Sequence, residues 1–375
     1  MFVFPSIRAT SSILVLLSLL CGSVATSAWG QSYTAVDLNP SGYSGSQAYG
    51  TSGSQQVGYG VIGGGYHALL WSGSASSYVD LNPSGFTFSQ ANGISGNQQV
   101  GSGGPSSFTH ALLWSGSACS YVDLNPGIGP DEFSESYAYS ISGSQQVGYG
   151  VIGGNYYALL WSGSASSYVD LNPSGYDQSF AYGTSGNQQV GYGRIIGGTY
   201  HALLWSGSWS SYVDLNPSGC TYSEALGVSG NQQVGYGQII IGGNDHALLW
   251  SGSASSYVDL NPSGFTSSQA NGISGNQQVG YGQIIGGNDH ALLWSGSASS
   301  YVDLQSFLPE NYNSSRALSI DANGDIVGSA YNTLTGQTDA ILWTPVPEPA
   351  SLTLLGTAIL GLGTFAFVRR RLRAA

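Results

Sequence analysis

A tryptophan that closes an Ala-Leu-Leu-Trp or Ala-Ile-Leu-Trp step recurs at Trp71, Trp114, Trp161, Trp205, Trp250, Trp294 and Trp343, at intervals of 43, 47, 44, 45, 44 and 49 residues. Around each tryptophan stand the same landmarks in the same order: an Ala-x-Gly/Ser triplet, a QQVG-like step, the ALLW step and a VDL step. A period of roughly 40–50 residues holding several short strand-like runs marks a radial or stacked repeat protein, because one unit cannot bury its apolar surface alone. The pattern runs through residues 31–345, so a single repeat domain accounts for most of the chain.

Each unit offers four strands. The first carries the triplet, from Ala48-Tyr-Gly50 to Ala317-Leu-Ser319. Its two small residues are expected to share one strand face, as innermost strands crowded around an axis require. QQVGYG is the second strand, reached through SGN or SGS, a glycine turn suited to a hairpin. ALLW is the third, apolar on both faces, with Leu69 and Trp71 on one side and Ala68 and Leu70 on the other. Such a strand is buried on both sides. YVDL is the fourth, ended by the Pro and Gly of NPSG. Four short antiparallel strands per unit of about 45 residues describe a propeller blade, and seven units predict an all-β, seven-bladed β-propeller.

The alternative is a β-solenoid, whose terminal units need distinct capping sequences. The ends of this chain do something else. The repeat region opens with a fourth strand, Tyr33 to Leu38, and closes with a third strand, Ala340 to Trp343. An N-terminal strand that completes the last blade would therefore close a ring. The seventh unit departs from the rest, with residues 304–315 in place of NPSG and the segment Ile320 to Gly328 in place of ISGNQQVG. Asp321, Asn323 and Asp325 have the spacing of a calcium loop, but its glycine and glutamate places hold Ile326 and Asn332. Asn323-Gly324 between apolar runs predicts a hairpin there.

Glycine supplies 57 of 375 residues as turn punctuation, and charged residues are only 7%. Residues 31–345 hold eighteen acids against Arg194 and Arg316, a net charge of −16 that excludes nucleic acid as a partner on electrostatic grounds. Of the cysteines, Cys119 and Cys220 occupy different positions in their units, so no disulfide framework is expected.

The two ends carry targeting features. Residues 1–30 pair a single early charge, Arg8, with a short apolar run and small residues at Ala25, Ala28 and Gly30, the pattern of a secretory signal peptide. Residues 350–368 hold no charge for nineteen positions, near the roughly 20 that span a bilayer as a helix, and the arginines at 369–373 behind them mark the cytoplasmic side. The repeat domain is thus expected outside the cytoplasm, anchored by a C-terminal membrane helix.

The order Pro347-Glu348-Pro349, apolar span, Arg369-Arg370-Arg371 within residues 346–375 resembles a PEP-CTERM sorting tail. That resemblance implies a bacterium that makes exopolysaccharide, and an exosortase-type protease as partner, acting near the Pro-Glu-Pro motif. The interior resembles HAF extracellular repeats, through His246-Ala247-Leu248-Leu249-Trp250 with Asp259-Leu260 and the matching residues from His290 to Leu304. Leu stands where that family has Phe, and Asn-Pro replaces its glycine-rich continuation. This second resemblance implies an extracellular location and a repeat architecture.

Histidine opens the third strand in five units, at His67, His110, His201, His246 and His290, with Tyr157 and Asp339 in the other two. Equivalent positions on a ring point apart, whereas a metal needs several ligands converging on it, so hydrogen bonding within the blade is expected and no metal or cofactor is predicted. The aspartates Asp37, Asp80, Asp123, Asp170, Asp214, Asp259 and Asp303 recur in every unit, whereas a catalytic carboxylate is set apart by its neighbours. The one irregular acidic group, Asp131, Glu132 and Glu135, lies in a loop. These readings predict a protein without catalytic residues. Its candidate binding surface is the NPSG-side rim, whose turns vary, with Tyr43, Phe86, Tyr176 and Phe265 stacking on polysaccharide. The expected role is binding or adhesion at the cell surface or in the exopolysaccharide matrix. The alternatives are a purely structural surface protein or a propeller hydrolase acting on polysaccharide.

Overall fold

The computed structural model describes residues 31–105, 108–127, 133–239 and 243–347. They form seven four-stranded antiparallel sheets, one per repeat. Blade one runs Ser46–Ser52, Gln55–Ile62, Gly65–Trp71 and Val79–Asp80 from its inner to its outer strand. Blades two to six repeat this order over residues 88–123, 135–170, 176–214, 223–259 and 265–303. Blade seven takes Tyr312–Ile320, Ile326–Asn332 and Gln337–Pro345 from the end of the domain and its outer strand, Tyr33–Asp37, from the beginning. Tyr33 pairs with Pro345 and Asp37 with Ile341. The amide of Val346 donates to the Ser32 carbonyl at 2.8 Å, extending the join past the strand ends.

Neighbouring inner strands pack on one another all round, and the first packs on the last, so the ring is closed. One hydrogen bond repeats at all seven interfaces. A serine hydroxyl on each inner strand accepts from the alanine amide of the preceding third strand, as in Ala68 to Ser89 at 3.0 Å, and the series returns to its start through Ala340 to Ser46 at 3.0 Å. Each serine thereby satisfies an amide buried between sheets, where an unpaired donor would be costly.

The core lies between blades rather than within them. Val57, Ala68 and Leu70 of blade one meet Ala91, Leu112 and Trp114 of blade two, while Leu69 and Trp71 face Val327, Ala340 and Leu342 of blade seven. The two-sided apolar character of ALLW has this cause, and all seven tryptophans are fully buried.

Two local readings need correction. The outer strands of blades one to six are only two residues long, because Ala75–Ser77 and its counterparts wind into a 3-10 turn. Val79, paired with Leu70, is exposed, while Leu81 is buried and donates its amide to Ala68, so the two share a face and differ only in how far the next blade covers them. The inner strands are bulged between the alanine and the glycine or serine of every triplet. Ala48 pairs with Gly58 and Gly50 with the adjacent Val57, which places the two small residues on opposite faces. The crowding is nonetheless real: a β-carbon on Gly50 would stand 3.3 Å from the Gly93 α-carbon of the next blade.

In blade seven the segment from Asp321 to Asp325 is a hairpin turn, with Gly324 at φ 83°. The Asp321 carboxylate accepts the amides of Asn323 and Asp325 at 2.8 and 3.1 Å, so the calcium-like spacing serves the turn. Among the described residues no helix is long and apolar enough to cross a membrane. The expected membrane helix at 350–368, the signal peptide, and the motif residues Glu348, Pro349, Arg369, Arg370 and Arg371 lie outside the described residues, which end at Pro347.

Candidate functional site

Because each inner strand bulges, the middle residue of its triplet leaves the ladder and turns to the ring axis. Three tyrosines (Tyr49, Tyr139, Tyr182), two asparagines (Asn92, Asn271) and two leucines (Leu226, Leu318) reach the axis this way and line a central cavity of about 510 Å³. Ile94, Ile141, Val228, Ile273 and Ile320 form an apolar collar beside them. No Asp, Glu, His, Lys or Arg is among the lining residues. Asn92 and Asn271 donate across the blade boundary to the carbonyls of Ala138 and Ala317, both at 2.8 Å, which fixes their side chains.

Tyr139 and Tyr182, from adjacent blades, lie with ring centroids 4.6 Å apart, and Tyr182 stacks on Tyr192 at 5.5 Å and 15°. Tyr137, Tyr149 and Phe180 extend this aromatic belt along the inner and second strands of blades three and four. Burial, reinforced by neighbouring phenols, pushes Tyr139 and Tyr182 above the ordinary tyrosine range, so both stay protonated donors. In the sequence only the small flanks of the triplet stand out, whereas its variable middle position carries the cavity chemistry.

The four rim candidates sit elsewhere. Tyr43 and Tyr176 are only 7% and 8% exposed, and Phe86 and Phe265 are half-buried. A β-carbon on Gly60 would fall 2.4 Å from the Tyr43 ring, and one on Gly282 would fall 2.7 Å from that of Phe265. The second glycine of QVGYG therefore makes room for a turn ring. Edge-on partners cover the other side: Tyr78, Tyr121, Tyr212 and Tyr301 lie 5.4–5.7 Å from the four rings. Tyr43, Phe86, Tyr176 and Phe265 thus pack against the interblade cores. The outward rings on this edge are their partners, each 37–39% exposed.

The five histidines each place Nδ1 at 2.7–2.8 Å from the aspartate of their own outer strand, as in His67 with Asp80. The other aspartate oxygen caps the following turn, Asp80 Oδ1 accepting from the Asn82 amide at 2.8 Å. Blade three has Tyr157 in place of the histidine, and blade seven departs further. Asp339 replaces the histidine, and the Tyr312 hydroxyl lies 3.1 Å from both Asp37 Oδ2 and Asp339 Oδ2. One hydroxyl proton cannot serve two acceptors, and burial, reinforced by the Asp339 charge, holds the Asp37 carboxyl above its ordinary range. Of the irregular acids, Glu135 opens the inner strand of blade three instead of lying in a loop and accepts from Tyr137 at 2.9 Å, while Asp131 and Glu132 fall outside the described residues. Cys119 and Cys220 are free thiols.

Against curated protein sequences the chain has no match. Solved structures similar to it include the β-propeller domain of the Trilobed protease from Pyrococcus furiosus, at 10% identity and TM-score 0.54 over 79% of this chain and 93% of that one. Puromycin hydrolase is similar at 9% identity and TM-score 0.53, over 80% of this chain and 56% of its own. The acylaminoacyl peptidase of Pyrococcus horikoshii is similar at 10% and 0.50, over 82% and 54%. The chain spans little more than half the length of these two enzymes, and at such identities the likeness shows the propeller fold alone. The Pyrococcus furiosus domain is described as having an open velcro topology, whereas here the N-terminal strand pairs with Gln337–Pro345 and closes the ring. Residues 345–371 match the PEP-CTERM protein-sorting motif. The chain is therefore an exported, exosortase-sorted protein in which a seven-bladed β-propeller precedes a PEP-CTERM sorting motif.

Proposed function

We infer that this is a non-catalytic protein of the cell surface or the exopolysaccharide matrix, and that it binds polysaccharide at the mouth of its central channel. The observation that carries this reading is the chemistry of the cavity lining. Phenol rings offer stacking faces and hydroxyl donors, amides offer paired donors and acceptors, and no carboxylate or imidazole stands among them. Such a surface suits a neutral, hydroxyl-rich ligand, while glycoside hydrolysis calls for two carboxyl groups flanking the bond. The resemblance of the interior to HAF extracellular repeats fits the same location. Residues 350–368 would hold the protein in the membrane until an exosortase cuts near Pro347, and the mature chain would begin between Trp29 and Gln31.

Retention of the purified ring on polysaccharide extracted from the producing cells tests the reading. Tyr139→Ala with Tyr182→Ala should reduce retention at least about fivefold, as the loss of two stacking faces worth about 0.5–1.5 kcal/mol each predicts. Tyr78→Ser with Tyr121→Ser, on the outer edge, should leave it unchanged. Equal retention by all variants would favour a purely structural surface protein, and release of reducing sugar by the purified ring would establish a hydrolase.

A further inference from the structure

Two residues before each bulge, the inner strands carry Gln47, Gln90, Tyr137, Phe180, Glu224, Gln269 and Arg316. Two of these seven are charged, and their surroundings differ. Arg316 is neutralised: its Nε lies 2.8 Å from Asp289 Oδ2, and its guanidinium sits 4.4 Å over the Tyr281 ring. Arg194, the other arginine of the repeat domain, is held by Asp177 at 2.8 and 2.9 Å. Glu224 has no cationic partner among the described residues.

What surrounds Glu224 instead is phenol, with the Asp245 carboxylate also within electrostatic reach. Tyr236 lies opposite it on the adjacent strand, within electrostatic reach of its carboxylate. Tyr222 stands edge-on to Tyr236 with centroids 6.3 Å apart, its hydroxyl bonded to Asp245. From blade four, the stacked pair Tyr182 and Tyr192 comes within electrostatic reach of the same carboxylate. Glu224 and all four rings are partly exposed, so the cluster is open to a ligand. A half-buried carboxylate without a counter-ion is costly. Ring faces carry negative potential, so the arrangement as a whole is complementary to a cation that is itself large and weakly hydrated.

We propose that Glu224 with Tyr182, Tyr192, Tyr222 and Tyr236 forms a recognition site for an organic ammonium group, such as the free amine of a glucosamine unit in a partly de-N-acetylated polysaccharide. The choice of a sugar amine rests on the polysaccharide reading above; the ammonium chemistry does not. Tyr182 belongs both to this cage and to the channel lining, so a chain lying in the channel mouth would bring its amines past Glu224.

Glu224→Gln removes the charge and keeps the shape, and the scaffold already accommodates glutamine at the equivalent Gln47, Gln90 and Gln269. Calorimetric titration of the unmodified ring should show the glucosamine hexamer binding about tenfold more tightly than its N-acetylated counterpart, the size expected of a partly desolvated cation–π contact. In Glu224→Gln the preference should vanish while affinity for the acetylated hexamer is unchanged. A preference that survives in the variant, or is missing from the unmodified ring, overturns the site. Should neither hexamer bind, it is the polysaccharide reading that fails, and tetramethylammonium becomes the deciding probe. Quenching or shift of the tyrosine signals that Glu224→Gln abolishes upholds the ammonium site, and no response in the unmodified ring refutes it.

Discussion

Leu38 and Leu81 occupy equivalent places, one on the N-terminal strand that completes blade seven and one on the outer strand of blade one. Both are fully buried, and each donates its amide at 2.8 Å to the alanine carbonyl of its third strand, Ala340 or Ala68. Leu→Ala at a fully buried site costs about 2–5 kcal/mol, the removed carbons plus the cavity they leave. Taking about 3 kcal/mol, and an unfolding entropy of about 2.1 cal/mol/K per residue over about 315 residues, Tm should fall by roughly 5 °C in either variant. The variants should part company locally. Leu81 is tied into a blade continuous in sequence, whereas Leu38 holds a strand joined to its blade by pairing alone. Hydrogen exchange at Ile341 and Leu342 should therefore accelerate in Leu38→Ala and stay at the unmodified rate in Leu81→Ala. The measurement is native-state exchange beside thermal melts of both variants. A Leu38→Ala protein with unchanged Tm, beside a Leu81→Ala protein that loses several degrees, would show that the N-terminal strand is not part of the cooperative ring.

Stability should rise, not fall, on mild acidification. Burial raises the carboxyls of Asp37, Asp170, Glu224 and Asp325, so the folded chain holds their protons more tightly than the unfolded one, and that stabilisation is lost as pH climbs through the raised values. Asp177, lowered by Arg194, opposes them only as pH falls below the ordinary aspartate value of about 4. In 1 M salt, which shortens the screening length to about 3 Å, Tm should be higher at pH 5 than at pH 7, and a lower Tm at pH 5 would refute the assignment. Gly58→Ala should abolish the ring or cost at least about 4 kcal/mol, since its β-carbon would lie 1.8 Å from the Gln47 carbonyl oxygen. Gly53→Ala, where φ is 60° and a β-carbon meets nothing within 4 Å, should cost only about 1–2 kcal/mol in denaturant titration.

Much of the fold was legible because it is periodic. Seven tryptophans at near-equal spacing set the number of blades, ALLW announced burial on both faces, and an opening VDL without its own ALLW showed where the ring would join. What escaped depends on contacts between units rather than on the unit. A bulge leaves no mark on hydrophobic alternation, so the axial role of Tyr49, Asn92 and Tyr139 was hidden inside a triplet whose flanks drew attention by being small. Tyr43 in a variable turn looked free to bind, yet its burial is decided by Gly60, seventeen residues away on another strand. Glu224 gained meaning only once tyrosines from two different repeats were seen around it, and Asp37 only once Asp339 was seen in place of a histidine.

The join in blade seven also decides how the ring bears force. Gln337–Pro345, the strand that leads into the sorting motif, lies between Ile326–Asn332 on one side and Tyr33–Asp37 on the other, antiparallel to both. A pull on the chain beyond Pro345 is directed along that strand, and its hydrogen bonds to both neighbours must shear together instead of unzipping one at a time. Had the third strand been the edge of its blade, the same pull would have met one ladder. A protein tethered through its sorting end in moving fluid would thus be held at one of its strongest points, with the first strand of the domain acting as the clamp on the last.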